Sequence, residues 1–195
     1  MDIVQMFEQT ADTSKTQMFV CFLPATDTIR KIHWLNRAAA YFAHSSEPLE
    51  HTMIHTELLF VDMDDSDSVD NTFTKDTIVG QSCSIHYDGT VFLEPKSFSR
   101  KEWNFRQCPE TWRPKKALDF CEQHVGDKFN KIGYYVQPIC RARMSSNRWF
   151  CSEIVAGALC AAGADVQASL HPHQLFLSLK DVTCPACPKQ TEMKF

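Results

Sequence analysis

Apolar and polar positions follow three periodicities along this chain, and each predicts a different element. Met18-Phe19-Val20-Cys21-Phe22-Leu23 is a continuous apolar run closed by Pro24, the pattern of a buried strand. From Met53 to Val61 the pattern alternates, placing His55, Glu57 and Leu59 on one face and Ile54, Leu58 and Phe60 on the other. Ser82 to Tyr87 and Thr90 to Glu94 flank Asp88-Gly89, a strong hairpin signal. Helical spacing governs the rest. Ile29, Ile32, Leu35, Ala38 and Ala39 form one stripe behind a cap at Asp27 or Thr28. Pro114 to His124 reads as a second helix, with proline in its first turn and Gly126 just past its end. Phe150, Ile154, Val155, Ala158, Leu159 and Ala162 outline a third, stopped by Gly163.

This order predicts an α+β domain rather than alternating βα units. Residues 1–15 read as a polar lead-in, 16–180 as the domain, and 181–195 as a tail behind a closing segment that holds Pro172. Residues 62–76 carry six aspartates and read as a solvated loop. A calcium loop needs glycine at its sixth position and glutamate at its twelfth, where this segment has Asp67 and Phe73. Residues 127–147 read as a long irregular connection, and no internal repeat is visible.

Composition narrows the function classes. A chain of 195 residues can bury one substantial core. Twenty basic residues against 24 acidic ones give a net charge of −4, which argues against a nucleic-acid partner. No apolar run reaches the ~18 residues a spanning helix needs. The N-terminus lacks the basic and apolar segments of a secretion signal. The cysteine count is nine, an odd number, and no Asn-x-Ser/Thr site occurs, so reduced thiols in the cytoplasm are expected.

The leading chemical candidate is Cys151, in the first turn of the third predicted helix. Unpaired N–H groups and the helix dipole there favour negative charge, which suits a thiolate nucleophile. The plain alternative is a buried structural cysteine. A thiol nucleophile needs a base, and His55 on its strand is the best placed, although a core histidine bonded to a carbonyl reads equally from sequence. Glu57 shares the His55 face and needs a partner if buried. Glu94, near the hairpin, is the second carboxylate able to orient the imidazole, with a solvent-facing strand end as its alternative. Glu153 is expected to cap the helix start or pair with Arg141, Arg143 or Arg148. That arginine cluster, with Lys128 and Lys131, reads as a solvated patch or as support for an anion beside Cys151.

Cys184-Pro185-Ala186-Cys187 has half-site spacing for zinc, and His171 and His173 lie upstream, but the histidine spacing is atypical and an ordinary reduced tail is expected. Cys21, Cys83, Cys121 and Cys160 lie on apolar faces and read as packing. Neither metal nor cofactor is expected.

Four segments carry a resemblance: Ile54-His55-Thr56-Glu57-Leu58, Val91-Phe92-Leu93-Glu94, His124-Val125-Gly126-Asp127-Lys128-Phe129-Asn130 and Phe150-Cys151-Ser152-Glu153-Ile154-Val155. In this order, histidine before cysteine, the chain from about Phe19 to Leu179 resembles the circularly permuted NlpC/P60 enzymes, papain-like thiol enzymes. The resemblance implies a papain-like fold with an antiparallel sheet or half-barrel packed against helices. It implies Cys151 as nucleophile, His55 as base and a carboxylate, Glu57 before Glu94, as third member. It further implies a hydrolase or acyltransferase acting on small peptide or acyl-lipid substrates, which allows peripheral lipid contact. The Cys151 N–H is then the natural first oxyanion donor. Two readings from other classes stand beside it: a catalytically silent binding or host-interaction module on the same fold, and a zinc-organised interaction domain.

Overall fold

The computed structural model describes residues 15–32, 34–43, 48–63, 76–86, 89–130, 148–167 and 171–180, without the side chains of Lys15, Leu35 and Phe42. Its elements in chain order are β1 (Lys15–Pro24), α1 (Asp27–Ile32), α2 (Trp34–Phe42), a 3-10 turn (Leu49–His51), β2 (Met53–Met63), β3 (Thr77–Ile85), β4 (Val91–Ser99), β5 (Asn104–Gln107), α3 (Pro114–His124), β6 (Lys128–Phe129), β7 (Arg148–Trp149), α4 (Cys151–Ala162) and α5 (Pro172–Ser178). The fold is α+β, as the element order predicts. Five strands form one antiparallel sheet in the order β4-β3-β2-β1-β5, and β6 and β7 form a short parallel pair.

The sheet is strongly curled. Its edge strands, β4 and β5, are consecutive in the chain, joined by residues 100–103. A flat five-stranded sheet would hold them roughly 19 Å apart, four gaps of about 4.8 Å. Instead the Glu102 and Trp103 N–H groups both donate to the Ser99 carbonyl, at 3.1 and 3.0 Å, in a single tight turn. The edges therefore approach each other, and Phe98 on β4 meets Trp103 and Phe105 with ring centroids 4.9 and 6.3 Å away.

Alternation along the strands then makes two cores. The concave face collects Phe19, Cys21, Leu59, Val61, Ile78 and Phe98. The convex face presents Met18, Val20, Phe22, Leu58, Phe60 and Ile85 to the helices, which contribute Ala117 and Cys121 from α3, Leu175 from α5 and the buried side of α4. Ile154, Val155 and Leu159 of α4 are at most 1% exposed. Each such side chain contributes about 1.5–3 kcal/mol on burial, so α4 is firmly seated. Helix α3 crosses α4 so closely that a Cβ at Gly157 would lie 2.6 Å from Phe120 Cζ. Gly163 ends α4 at φ 104°, and the Ala164 N–H closes back on the Leu159 carbonyl at 2.9 Å. That is the glycine stop read from sequence.

Several expectations change. The first helix is two short ones, capped by Thr26, whose hydroxyl accepts from the Ile29 N–H at 3.4 Å. Ile32, expected on the buried stripe, is 70% exposed; Ala25 and Ala40 pack against Ile54 instead. The hairpin strands run longer than their apolar cores, because mixed polar positions on β3 and β4 still complete the ladder. Strand β5 and helix α5 had no periodic signature of their own; each is held by what it packs on. Cys160, expected in packing, is exposed. The lead-in up to residue 14, the acidic stretch 64–75, residues 131–147 and the tail from 181 onward lie outside the described residues.

Candidate active site

Strand β2 presents His55 and Glu57 on the concave face, two residues apart and therefore side by side. His55 Nε2 lies 3.1 Å from Glu57 Oε1. The N-terminus of α4 arrives at the same end of the sheet and sets the Cys151 side chain beside the His55 ring, near enough to act on its charge. With Nε2 turned to Glu57, Nδ1 is the nitrogen left for the thiol. Cys151, far from the other two in sequence, thus joins His55 and Glu57 in one connected line. His55 is further boxed by ring neighbours: His86 stacks at 6.0 Å and Trp103 meets it edge-on at 6.1 Å.

Electrostatics favour charge separation along the line. Burial works against a charged imidazole, but the adjoining Cys151 sulfur and the Glu57 carboxylate outweigh it and push His55 up to about 10. Burial likewise works against a charged Glu57, which is 1% exposed; hydrogen bonds and charge from His55 and Lys96 overcome it and hold the carboxyl down at about 2. His86 moves the other way, lowered by partial burial and then by the neighbouring His55 cation. Cys21, opposite Glu57 on β1, is pushed well up by burial and by that carboxylate, so it stays a thiol. An inert cysteine on the sheet thus lies close to one at the helix start that is paired with a base.

The helix start supplies the other half of the site. Phe150 is the N-cap of α4, and its N–H is taken by the Glu153 carboxylate at 3.0 Å. Glu153 therefore has the capping role expected of it. In this first turn no helical carbonyl lies four residues behind Cys151 or Ser152, so their N–H groups are aimed outward from the helix start. Trp149, immediately upstream, is pinned by its indole N–H to Asp127 Oδ2 at 2.9 Å, and the same oxygen meets His124 Nδ1 at 2.8 Å. This clamp ties β7 to the end of α3 and fixes where α4 begins.

Around the three residues lies a cleft of about 320 Å³, within the usual range of small-ligand sites. Leu23, Ile54, Ile85, Trp103, Phe129, Phe150 and Pro172 make its apolar walls, and His86, Lys96, Ser152 and His171 add polar groups. Glu94 does not join the line. It is exposed on β4, paired in register with Ser82, and its charge falls on His86.

Sequence reading missed Lys96, Ser82 and His86. Lys96 lies two residues beyond Glu94 on the same strand face, and only knowledge of the curl would have aimed it at Glu57. Of the arginine cluster, Arg148 is half-buried in β7, while Arg141, Arg143 and Lys131 lie outside the described residues. The zinc candidates separate. His171 Nδ1 accepts from the His173 N–H and His173 Nδ1 from the Met53 N–H, both at 3.3 Å, while Cys184 and Cys187 lie outside the described residues. Among the described residues no cluster of three or more His, Cys, Asp or Glu is arranged around a metal position. No helix among them is long and apolar enough to cross a membrane. Comparison with known family models, curated proteins and solved structures finds no match to this chain.

Proposed function

We propose that this chain is a thiol hydrolase or acyltransferase, a permuted papain-like enzyme that cleaves an amide or ester bond in a small peptide or acyl-lipid substrate. The observation that carries this reading is His55 set between the Cys151 side chain on one side and Glu57, 3.1 Å away, on the other, all three lining one apolar cleft. His55 takes the thiol proton, and the Cys151 sulfur attacks the substrate carbonyl carbon. The resulting oxyanion faces the N–H groups at the start of α4. As the C–N or C–O bond breaks, imidazolium returns the proton to the leaving amine or alcohol, leaving a thioester on Cys151. Water or an acceptor then attacks that thioester, deprotonated by the same imidazole. Glu57 acts throughout as the fixed acceptor that orients the ring. The apolar walls suit an acyl chain or apolar side chain. The unbridged cysteines among the described residues suit a reducing compartment such as the cytoplasm.

Competition between two cysteines of this chain tests the reading. Cys160 is exposed, whereas Cys151 is only half-buried and next to a base. A cysteine-directed acyl probe at neutral pH is expected to label Cys151 well ahead of Cys160, and His55→Ala to remove that preference. Uniform labelling, or a preference that survives His55→Ala, would overturn the reading. Mass spectrometry of Cys151 after incubation with a lipid extract or a peptide mixture then identifies the acyl group.

A further inference from the structure

Lys96 has no place in the chemistry above, yet it is built into the site from three sides. Its Nζ lies 2.6 Å from Glu57 Oε1, the oxygen that also meets His55. Three aromatic rings surround the ammonium, with centroids 5.8 Å (Phe92), 5.2 Å (Phe98) and 5.6 Å (Trp103) away, all within cation–π range. Opposite Lys96 in the β3–β4 register stands Gly80, with no side chain to block the reach across β3 towards β2. A Cβ at Gly80 would also fall 2.2 Å from the Phe60 carbonyl oxygen, so the glycine is required there on steric grounds. The second Glu57 oxygen accepts from the Ser82 hydroxyl at 2.8 Å.

We propose that Lys96 is a positioning residue of the proposed active site: it keeps the Glu57 carboxylate ionised and so holds His55 in its Nε2–H tautomer, with the Nδ1 lone pair aimed at Cys151. This rests on the acyl-transfer reading of Cys151 and His55. During such a cycle the imidazole passes through its neutral state, and its positive charge beside Glu57 disappears. A buried carboxylate without a cation tends to take a proton, and a protonated Glu57 would donate to Nε2 rather than accept from it. His55 would then carry its proton on Nδ1, the face that must receive one from the thiol. The Lys96 ammonium stays beside Glu57 in every state, held by the three rings. The other titratable groups nearby do not replace it: Cys21 on β1 is a raised thiol, His86 just past β3 is lowered by burial and by His55, and Glu94 on β4 carries a carboxyl group rather than a cation.

The test reads the tautomer directly. Full-length protein with ¹⁵N-labelled histidine and Cys151→Ala, which removes the sulfur, is titrated by NMR so that neutral His55 is populated. One Nε2–H form is expected, a tautomer mixture on adding Lys96→Met, and the single form again with Lys96→Arg. In the chain that keeps Cys151, Lys96→Met is expected to slow acyl-probe labelling about tenfold, less than the roughly 10²–10⁴-fold that the acid–base group itself contributes, with Lys96→Arg near wild type. An unchanged tautomer and labelling rate in Lys96→Met overturn the proposal. Should Lys96→Met not fold, Lys96→Gln is read the same way, since it too removes the charge. Failure of the underlying reading looks different: wild-type Cys151 would then label no faster than Cys160, while the tautomer data still decide the Lys96 question.

Discussion

Two hydrogen-bonded histidine–carboxylate pairs stand among the described residues, and only one of them leads on to a thiol. His55 and Glu57 meet at 3.1 Å, His124 and Asp127 at 2.8 Å, so by the pair distance alone the second is the better bond. The difference lies in what each pair touches next. The far side of His55 faces a thiol, and the carboxylate behind it is backed by Lys96 and Ser82. His124 packs on Phe120 and Trp149, with ring centroids 4.5 and 4.7 Å away, and Asp127 also accepts from the Trp149 indole. One pair ends in a cleft beside a thiol, the other in a wall of aromatic rings. A histidine bonded to a carboxylate is therefore a weak functional signal until both outer partners are known.

Mutation should separate the two pairs most sharply at the imidazoles. Cys151→Ala should abolish acyl-probe labelling at the site, and His55→Ala should slow Cys151 labelling about 10³-fold, as loss of a positioned general base does. His124→Ala should leave the labelling rate of the folded protein within a few-fold of wild type. Equal losses in both histidine variants would erase the distinction. Cys151→Ala should also bring the His55 titration, followed by NMR, down from about 10 towards the ordinary 6.5, because the sulfur that favours the charged ring is gone.

The carboxylates should differ in acid. Glu57 is held at about 2 against an ordinary 4.5, so its folded-state pKa is depressed. Its stabilising contribution is whole above pH 4.5 and is lost as pH falls towards 2, about 3 kcal/mol by linkage. Denaturant unfolding between pH 2 and 5 should show that slope in wild type and a flatter one in Glu57→Gln. An identical slope in both would mean that Glu57 is not the ionised partner described. A smaller effect belongs to the clamp. Trp149→Phe removes one charge-assisted hydrogen bond and should cost about 1.5–3 kcal/mol in the same assay, with Cys151 labelling of the folded fraction little changed. Smallest of all is Glu94→Gln: an exposed carboxylate outside the line should shift stability by less than about 0.5 kcal/mol and labelling by less than about twofold, while Glu57→Gln moves both.

Much of the frame was legible in the chain. Period-two spacing put His55 and Glu57 on one face, Asp88-Gly89 marked the hairpin, and Gly163 marked the end of the helix that begins at Cys151. These are local signals, written within a dozen residues. What could not be read depends on the curl of the sheet, which is decided by where β5 pairs. Asn104-Phe105-Arg106-Gln107 is too short and mixed to announce a strand; it becomes one because β1 offers an edge. Without that pairing nothing brings Lys96 or Trp103 to Glu57 and His55. The choice between Glu57 and Glu94 had the same cause, since both are strand carboxylates and only the register shows which one faces the imidazole.

The joint between layers has a consequence for the life history of the chain. His55 and Glu57 belong to the curled sheet and Cys151 to the helical layer against its convex side. Neither layer alone contains a primed sulfur. While the nascent chain is incomplete, or whenever α4 lifts from the sheet, Cys151 is one thiol among nine, with no imidazole to take its proton. On the proposed acyl-transfer reading, arming Cys151 is thus a late event of assembly: half-made or loosened molecules would be chemically quiet, and reactivity would certify that the two halves have come together.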